Sequence, residues 1–280
     1  MALPVETKKW LLDAPEPYIR YQAQLLLRPD DADPSLLDTD PFIQENLRII
    51  SAWRSEVLAR HDKPDLFFHR LSMLADLGVT RETRGAAPVI DSLLKNFTDD
   101  GSFLVNIMIP KAFGGTGAVH ADWIICDFPV TLYALLRMTG APRRGPDADS
   151  RLAAAVKKLE GLAGEEYYPC CGSIPKFKGP GPRNGMCPYA NLLVARALGA
   201  DPPAREGAPA RKAVGAVLDH WENRKAKKPF LFGMGTDFLK LKFPMIWYNL
   251  LHVMSVLSAY PHTAADPRYR EMLEHLRSAL

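Results

Sequence analysis

Cys187 is the residue of this chain whose position most clearly suggests chemistry. It directly precedes Pro188 in the stretch CPYANLLVARALG (187–199), so it is predicted to be the N-cap of a helix. Unpaired backbone N–H groups and the helix dipole favour a thiolate at such a position. Cys187 is therefore a candidate nucleophile or metal ligand, and the alternative is a small apolar side chain in the core.

Three further cysteines lie near predicted helix starts or in the loop before Pro188, and all four are expected to face one side of the molecule. Four cysteines in 280 residues do not make a disulfide framework. With His120, Asp127 or His252 they would complete a four-ligand zinc site, although their spacing matches no standard zinc motif. The alternative is four packed thiols. The metal-ligand candidates are Cys126, Cys170, Cys171 and Cys187.

The acid–base candidates are Asp127, His252 and Tyr248. His252 lies in an apolar stretch and suits a general base, because the pKa of histidine lies near neutrality. A hydrogen-bonded core histidine is the alternative. Asp127 is either an acid–base group or a carboxylate favoured near a helix start. Together with Cys187, these three residues form the predicted catalytic set.

Basic residues in two loops form a candidate site for an anionic group. Beside the glycines of the loop before Pro188, they would hold a phosphate, diphosphate or carboxylate by charge and by free backbone N–H groups. The alternative is an ordinary solvated loop. These residues are Lys176, Lys178, Arg183, Lys240 and Lys242.

Three aromatic residues, Tyr133, Tyr189 and Trp247, are predicted to line an internal cavity. Aromatic side chains at helical spacing also pack in ordinary cores, which is the alternative.

The elements that must position these residues are helices. Apolar residues recur near helical spacing, and no segment shows sustained alternation of period two, so the chain is predicted to be all-α. The predicted helices cover 4–13, 17–28, 41–60, 66–78, 82–97, 127–139, 149–163, 188–199, 208–223, 244–260 and 267–280.

An internal repeat relates the most apolar of these helices. Aligned starts at Pro17, Phe67, Pro129, Pro188 and Pro244 give intervals of 50, 62, 59 and 56 residues, and Gly78, Gly140 and Gly199 each follow their start by 11 residues. Repeats of this length predict stacked helical hairpins. The simplest closed form is an α/α toroid of about five hairpins and a terminal helix, with apolar helices inside, amphipathic helices outside, and the long loops at one rim.

Composition limits the function further. The chain is 47% hydrophobic with a net charge of +3, which does not predict a nucleic-acid-binding surface. No apolar run is long enough to span a membrane, and the first residues lack the apolar core of a secretion signal. We therefore expect one domain (1–280), a cytoplasmic location and a small hydrophobic or anionic ligand.

With this repeat the chain resembles the α/α-toroid superfamily of terpenoid cyclases and protein prenyltransferase β subunits. The closest local matches are the glycine- and aromatic-containing loops DDGSF (99–103), CCGSIPKFKGPG (170–181) and FGMGTDF (232–238). The resemblance implies a central cavity for an isoprenoid or a similarly apolar ligand.

Three functions are compatible with this pattern. The first is a prenyltransferase- or cyclase-like enzyme that acts on a hydrophobic substrate with an anionic head group. The second is a non-catalytic toroid that binds a ligand or peptide, and the third is a polysaccharide-active α/α barrel.

Overall fold

Twelve α-helices lie within the residues that this computed structural model describes, namely 3–59, 61, 63–140, 149–179, 185–226 and 237–278. The structure is thus mostly helical. In chain order the helices are α1 (Val5–Leu12), α2 (Pro17–Leu27), α3 (Pro41–Ile50), α4 (Phe67–Asp76), α5 (Ala86–Leu94), α6 (Phe128–Thr139), α7 (Ser150–Gly161), α8 (Pro188–Gly199), α9 (Pro202–Arg205), α10 (Ala208–Glu222), α11 (Leu250–Ser258) and α12 (Pro267–Ser278).

Side chains that cap the first turn fix where several helices begin. Asp40 accepts a hydrogen bond from the Ile43 backbone N–H at the start of α3 (3.0 Å), and Asp149 accepts one from Arg151 at the start of α7 (3.0 Å). Proline follows directly in α3, where its missing N–H has no partner to lose. These local signals are readable in the sequence, which explains why most helix starts were predicted to within a few residues.

The most apolar helices form the centre of the molecule. Helix α8 is buried over almost its whole length and packs against α6, α10 and α11, while α4 packs against α6. The order of contact is therefore α4, α6, α8, α11. Buried apolar residues from Tyr21 to Met272 form one connected cluster around them. No helix in the described ranges has the length and apolar character needed to cross a bilayer.

The all-α prediction is wrong in one region, the long loop 98–126. It contains an antiparallel hairpin of β1 (Val105–Met108) and β2 (Val119–Asp122), with Val105 opposite Asp122 and Met108 opposite Val119. Burial alternates along β1, because Val105 and Ile107 face the core and their neighbours are half-exposed. The alternation is too short for a sequence rule that requires a sustained pattern.

Three predicted helices are much shorter in the structure. The helix predicted for 82–97 covers only Ala86–Leu94. The helix predicted for 41–60 ends at Ile50 and is followed by a 3-10 turn, Trp53–Ser55. The helix predicted to begin at Pro244 begins at Leu250, since Asn249 caps it by accepting a hydrogen bond from the His252 N–H (3.1 Å). Pro244 therefore does not start an inner helix, and the fifth position of the aligned repeat is wrong.

The three aligned glycines have different structural roles. Gly78 and Gly140 follow α4 and α6 with φ of +84° and +58°, the left-handed conformation that glycine adopts without strain. Gly199 does not have a positive φ and is instead the last residue of α8. An added Cβ there would lie 3.3 Å from the Tyr260 hydroxyl, so close packing is the reason for a small residue.

Gly101→Ala and Gly117→Ala should separate steric overlap from backbone strain. Both glycines have φ near +80° (80° and 81°), where a side chain costs about 1–2 kcal/mol. At Gly101 a Cβ would also lie 2.4 Å from the carbonyl carbon of Ala154 in α7, whereas nothing lies within 4 Å at Gly117. Urea denaturation should show a loss of roughly 3 kcal/mol or more for Gly101→Ala and about 1 kcal/mol for Gly117→Ala. Equal losses would contradict this packing of loop 98–126 on α7.

Candidate functional site

A cavity of about 560 Å³ lies where the segments preceding α4, α6, α8 and α11 meet. Its wall is formed by residues 58, 59, 61, 107–110, 113, 124, 126, 170, 177–179 and 246–248, together with Cys187 and Tyr189 at the start of α8. These segments are far apart in the chain and approach the helices from the same side. The prediction that the loops before the inner helices share one rim is thus consistent with the position of the cavity.

The wall of the cavity is mainly apolar. Its polar members in the described residues are few: the thiols of Cys126, Cys170 and Cys187, the hydroxyls of Tyr189 and Tyr248, His61 and Lys178. Such a lining, apolar with a few polar groups, is typical of sites for small molecules, which have volumes of about 300–1,000 Å³. The apolar residues of the wall are Leu58, Ala59, Ile107, Met108, Ile109, Pro110, Phe113, Ile124, Phe177, Ile246 and Trp247.

Cys187 is the N-cap of α8, as predicted, and its Sγ accepts a hydrogen bond from the Ala190 N–H at 3.5 Å. The predicted thiolate is not favoured, however. Burial raises the pKa of the Cys187 thiol, and the hydrogen bonds from the Ala190 and Tyr189 N–H groups offset only part of this effect. Cys187 is therefore a protonated thiol at neutral pH, which is a poor nucleophile.

Three of the four cysteines, Cys126, Cys170 and Cys187, line the cavity. Burial raises the pKa of the Cys126 thiol well above its usual value, and the neighbouring Cys187, Cys170 and Cys171 raise it further. Burial also raises the pKa of Cys170 to about 12 and that of Cys171 to about 11, and all four thiols are free. Within the described ranges, no three His, Cys, Asp or Glu side chains are arranged to hold a metal ion. The predicted zinc site therefore has no support.

Asp127 caps α6 and is almost completely buried. Its Oδ1 accepts hydrogen bonds from the backbone N–H groups of Ile124 (3.0 Å) and Phe128 (2.8 Å), whereas Oδ2 is buried without a partner. Burial raises the pKa of this carboxyl to about 7, although the backbone hydrogen bonds lower it. Asp127 directly follows Cys126, which lines the cavity. Of the predicted acid–base groups, it is the one with a pKa close to neutrality.

The strongest charged contact in the interior involves a residue that the sequence analysis missed, Asp76 at the end of α4. Arg196 of α8 donates two hydrogen bonds to this carboxylate, and the Tyr133 hydroxyl of α6 donates another (2.7 Å). The Arg196 guanidinium also lies over the Tyr133 ring, 4.2 Å from its centre. Tyr133 therefore belongs to this buried network and does not line the cavity. The available signal was an arginine in an otherwise apolar helix, which requires a buried carboxylate.

His252 belongs to the same network. Its Nδ1 lies 3.0 Å from the Trp247 carbonyl oxygen, and its Nε2 lies 3.4 Å from the Arg196 guanidinium. Burial and then the charge of Arg196 lower the pKa of His252 well below its usual value, so the ring is neutral. The histidine is fully buried and does not line the cavity. This geometry therefore does not support the predicted role of His252 as a general base for a ligand in the cavity.

Two tyrosines line the cavity with their hydroxyls already engaged. Tyr248 forms a hydrogen bond with Nδ1 of the buried His220 (2.8 Å), and Tyr189 donates one to the Ile246 carbonyl (2.5 Å). Burial raises the pKa of both tyrosines. Tyr189 and Trp247 are thus lining residues as predicted, whereas Tyr248, predicted to be catalytic, is a neutral member of the wall.

The predicted basic residues separate into two sets. Lys178 lines the cavity and is exposed, and Lys176 is exposed in the same loop. Lys240 and Lys242 both donate hydrogen bonds to Asp237, at 3.1 and 2.9 Å, which partly neutralises them. Arg183 lies outside the described residues. Lys178 is therefore the predicted cation best placed to meet a ligand.

Comparison of the chain with protein-family models, with curated proteins and with solved structures finds no match. The resemblance to the α/α-toroid superfamily thus stays a prediction. Function has to be argued from the geometry of the cavity.

Breaking the buried pair should destabilise the protein strongly. Asp76→Ala leaves the Arg196 guanidinium buried without its partner, so urea denaturation should show a loss of about 3–5 kcal/mol. The double variant Asp76→Leu/Arg196→Met, which removes both charges, should recover most of this loss. Arg81→Ala, which breaks an exposed ion pair with Asp91, is the control and should remain close to the unmodified protein. If Asp76→Ala costs no more than this control, the buried pair does not hold the helices together.

Asp127 should make stability depend on pH. Its folded-state pKa of about 7 exceeds the unfolded value of ~4, so the folded state binds more protons between those values. The free energy of unfolding should therefore fall as pH rises from about 4 to about 7, by at most about 4 kcal/mol from this group. Asp127→Asn, which keeps the Oδ1 acceptor, should remove that fall when unfolding is measured across this range.

Asp149→Asn is the matched control for this experiment. Asp149 also caps a helix, but hydrogen bonding to Arg151 lowers its pKa, so its contribution changes with pH in the opposite direction. The fall in stability from pH 4 to pH 7 should persist in this control. A fall that also persists in Asp127→Asn would show that another group titrates.

Proposed function

We propose that this protein binds an amphipathic small molecule whose apolar chain occupies the cavity and whose anionic head group lies at Lys178. The observation that carries the proposal is the lining: a cavity of about 560 Å³ with aliphatic, aromatic and thiol side chains around it and the lysine among them. A ligand with an apolar chain displaces water from such a wall favourably, because apolar surface on both sides is removed from solvent.

The protonation of the wall supports an apolar chain as its occupant. The thiols of Cys126, Cys170 and Cys187 and the hydroxyl of Tyr189 all have raised pKa values because they are buried, so they are neutral at pH 7. A neutral wall offers no strong electrostatic attraction to a polar ligand. The supported ligand class is an isoprenoid or a fatty-acyl chain.

The head-group end of the proposed site is the loop at residues 176–179. The backbone N–H of Lys178 donates to the Phe113 carbonyl at 3.1 Å, which fixes this loop against the turn that follows β1. The ammonium group of Lys178 is exposed at the cavity wall, where it can meet a phosphate, diphosphate or carboxylate without burying an unpaired charge. This placement supports a chain-inside, head-outside orientation.

Binding without turnover is the version of the proposal that the geometry supports best. Tyr248 and His252 are engaged in hydrogen bonds within the wall or the core, and Cys187 is a protonated thiol. Prenyl transfer or cyclisation requires a group that activates the substrate, and of the four predicted catalytic residues only Asp127 titrates near neutrality with an unpaired oxygen. A polysaccharide-active barrel has the least support, since the described wall residues include no carboxylate.

The proposal extends to the architecture. The sequential packing of α4, α6, α8 and α11, with the segments before them meeting at one cavity, supports an α/α toroid in which these are inner helices. The interval between Pro188 and Pro244 does not contribute, because α11 begins later than the repeat predicted.

Isothermal titration calorimetry with farnesyl diphosphate, farnesol and inorganic pyrophosphate should test the binding function. We expect both prenyl compounds to bind and pyrophosphate alone to bind at least tenfold more weakly than farnesyl diphosphate, because most of the affinity comes from the buried chain. Met108→Trp should fill the cavity and weaken prenyl binding more than tenfold. Val5→Trp is the control, because Val5 is exposed on α1 and does not line the cavity.

Lys178→Ala should weaken farnesyl diphosphate about tenfold and leave farnesol unchanged, since a charge-assisted hydrogen bond contributes about 1.5 kcal/mol. Lys176→Ala, in the same loop but outside the cavity wall, is its control. If Met108→Trp binds the prenyl compounds as tightly as the unmodified protein does, the cavity is not the binding site. If the protein catalyses release of diphosphate from farnesyl diphosphate, a transferase or cyclase role replaces the binding role.

A further inference from the structure

Apart from Phe42 on α3, the exposed large apolar side chains of the described residues fall into two groups. The first lies on α1, α2 and their flanking residues, and includes Trp10, which is 69% exposed. The second group lies in the segments that form or border the cavity. Its members are Val57, Phe113, Val119, Leu239, Leu241 and Phe243. Exposed apolar patches on a folded protein mark sites of interaction, so the second group needs an occupant.

Several contacts tie the second group to the mouth of the cavity. Phe113 is itself a wall residue. The segment that carries Leu239, Leu241 and Phe243 contacts two wall residues, because the Lys242 ammonium lies 5.8 Å from the centre of the Trp247 ring and the Phe238 ring lies 5.6 Å from that of Tyr248. Val57 directly precedes the wall residue Leu58, and Val119 pairs with the wall residue Met108, so the second group borders the mouth of the cavity.

The mouth differs from the N-terminal group in charge. Lysines alternate with apolar residues in the sequence LKLKF (239–243), and the described mouth segments 109–122, 173–179 and 237–248 contain five lysines and two aspartates. The five are Lys111, Lys176, Lys178, Lys240 and Lys242. The first 16 residues, by contrast, carry acidic and basic residues in nearly equal numbers. The mouth thus combines exposed apolar side chains with a net positive charge.

We infer that the mouth of the cavity docks on the surface of a bilayer that contains anionic lipids. Apolar side chains enter the boundary between head groups and acyl chains, while interleaved lysines contact the lipid phosphates and carboxylates. The net positive charge of the mouth is complementary to such a surface. This inference rests on the proposed function, because an isoprenoid or acyl ligand resides in membranes and would pass directly into a cavity that opens onto them.

Flotation of the full chain with vesicles tests the docking surface in the absence of any cavity ligand. We expect binding to vesicles of phosphatidylcholine and phosphatidylserine at a molar ratio of about 7:3 and at least tenfold weaker binding to phosphatidylcholine alone. Added salt should weaken the binding, since it screens the lysines. Equal binding to both vesicle types, or no binding to either, would overturn the inference.

Substitutions then locate the surface. Phe243→Asp should weaken vesicle binding at least tenfold, and Lys176→Ala and Lys240→Ala should each weaken it about fivefold. Trp10→Asp is the matched control, because it places the same charge on a more exposed aromatic position far from the cavity in the chain. If Trp10→Asp abolishes binding while Phe243→Asp does not, the membrane surface is the N-terminal group and the inference is wrong.

Two further readouts separate this inference from the proposed function. Phe243 does not line the cavity, so Phe243→Asp should bind farnesol in solution as the unmodified protein does, and Met108→Trp should still float with anionic vesicles. Vesicle binding without prenyl binding would remove the proposed ligand and leave the docking surface. Sedimentation equilibrium without vesicles should show a monomer. Self-association that Phe243→Asp abolishes would instead assign the patch to a second copy of the chain and overturn the inference.

Discussion

The buried ion pair between Arg196 and Asp76 is the constraint on which the rest of the structure depends. It joins α8 to α4, takes in the Tyr133 hydroxyl from α6, and reaches the Met245 carbonyl just before the cavity wall (3.2 Å). An unpaired charge at this depth costs more than most single packing contacts. The helices can therefore pack only in the arrangement that brings these groups together, and that arrangement also places residues 246–248 in the wall.

The same burial that makes the pair necessary decides the chemistry of the cavity. Because they are buried, the thiols of Cys126, Cys170 and Cys187 stay protonated at neutral pH. For the same reason the pKa of the Asp127 carboxyl rises to about 7. A helix N-terminus alone would have favoured a thiolate at Cys187, but desolvation is the larger effect. The site therefore has the character of an apolar cavity with cations at its mouth, and the proposed ligand binding and the inferred membrane docking both rest on this geometry.

The accuracy of the sequence predictions followed the range of the interactions involved. Helix α8 was predicted with its N-cap, because capping, an initial proline and a continuous apolar run are local signals. The hairpin 105–122 was missed, since each strand is only four residues long and is defined by its partner. The start of α11 was misplaced because Pro244 suggests a helix start, whereas Asn249 provides the actual cap.

The sequence by itself determined that the chain is mostly helical, which helices are buried, and that cysteines, aromatic residues and lysines gather near their starts. These properties depend on residue periodicity and on contacts between near neighbours in the chain. Only the tertiary structure decided that Asp76 pairs with Arg196, that His252 is a neutral core residue, and that Lys178 rather than Lys240 meets the cavity. Such outcomes depend on distances between residues far apart in sequence and on the desolvation that follows, and neither is encoded in local pattern.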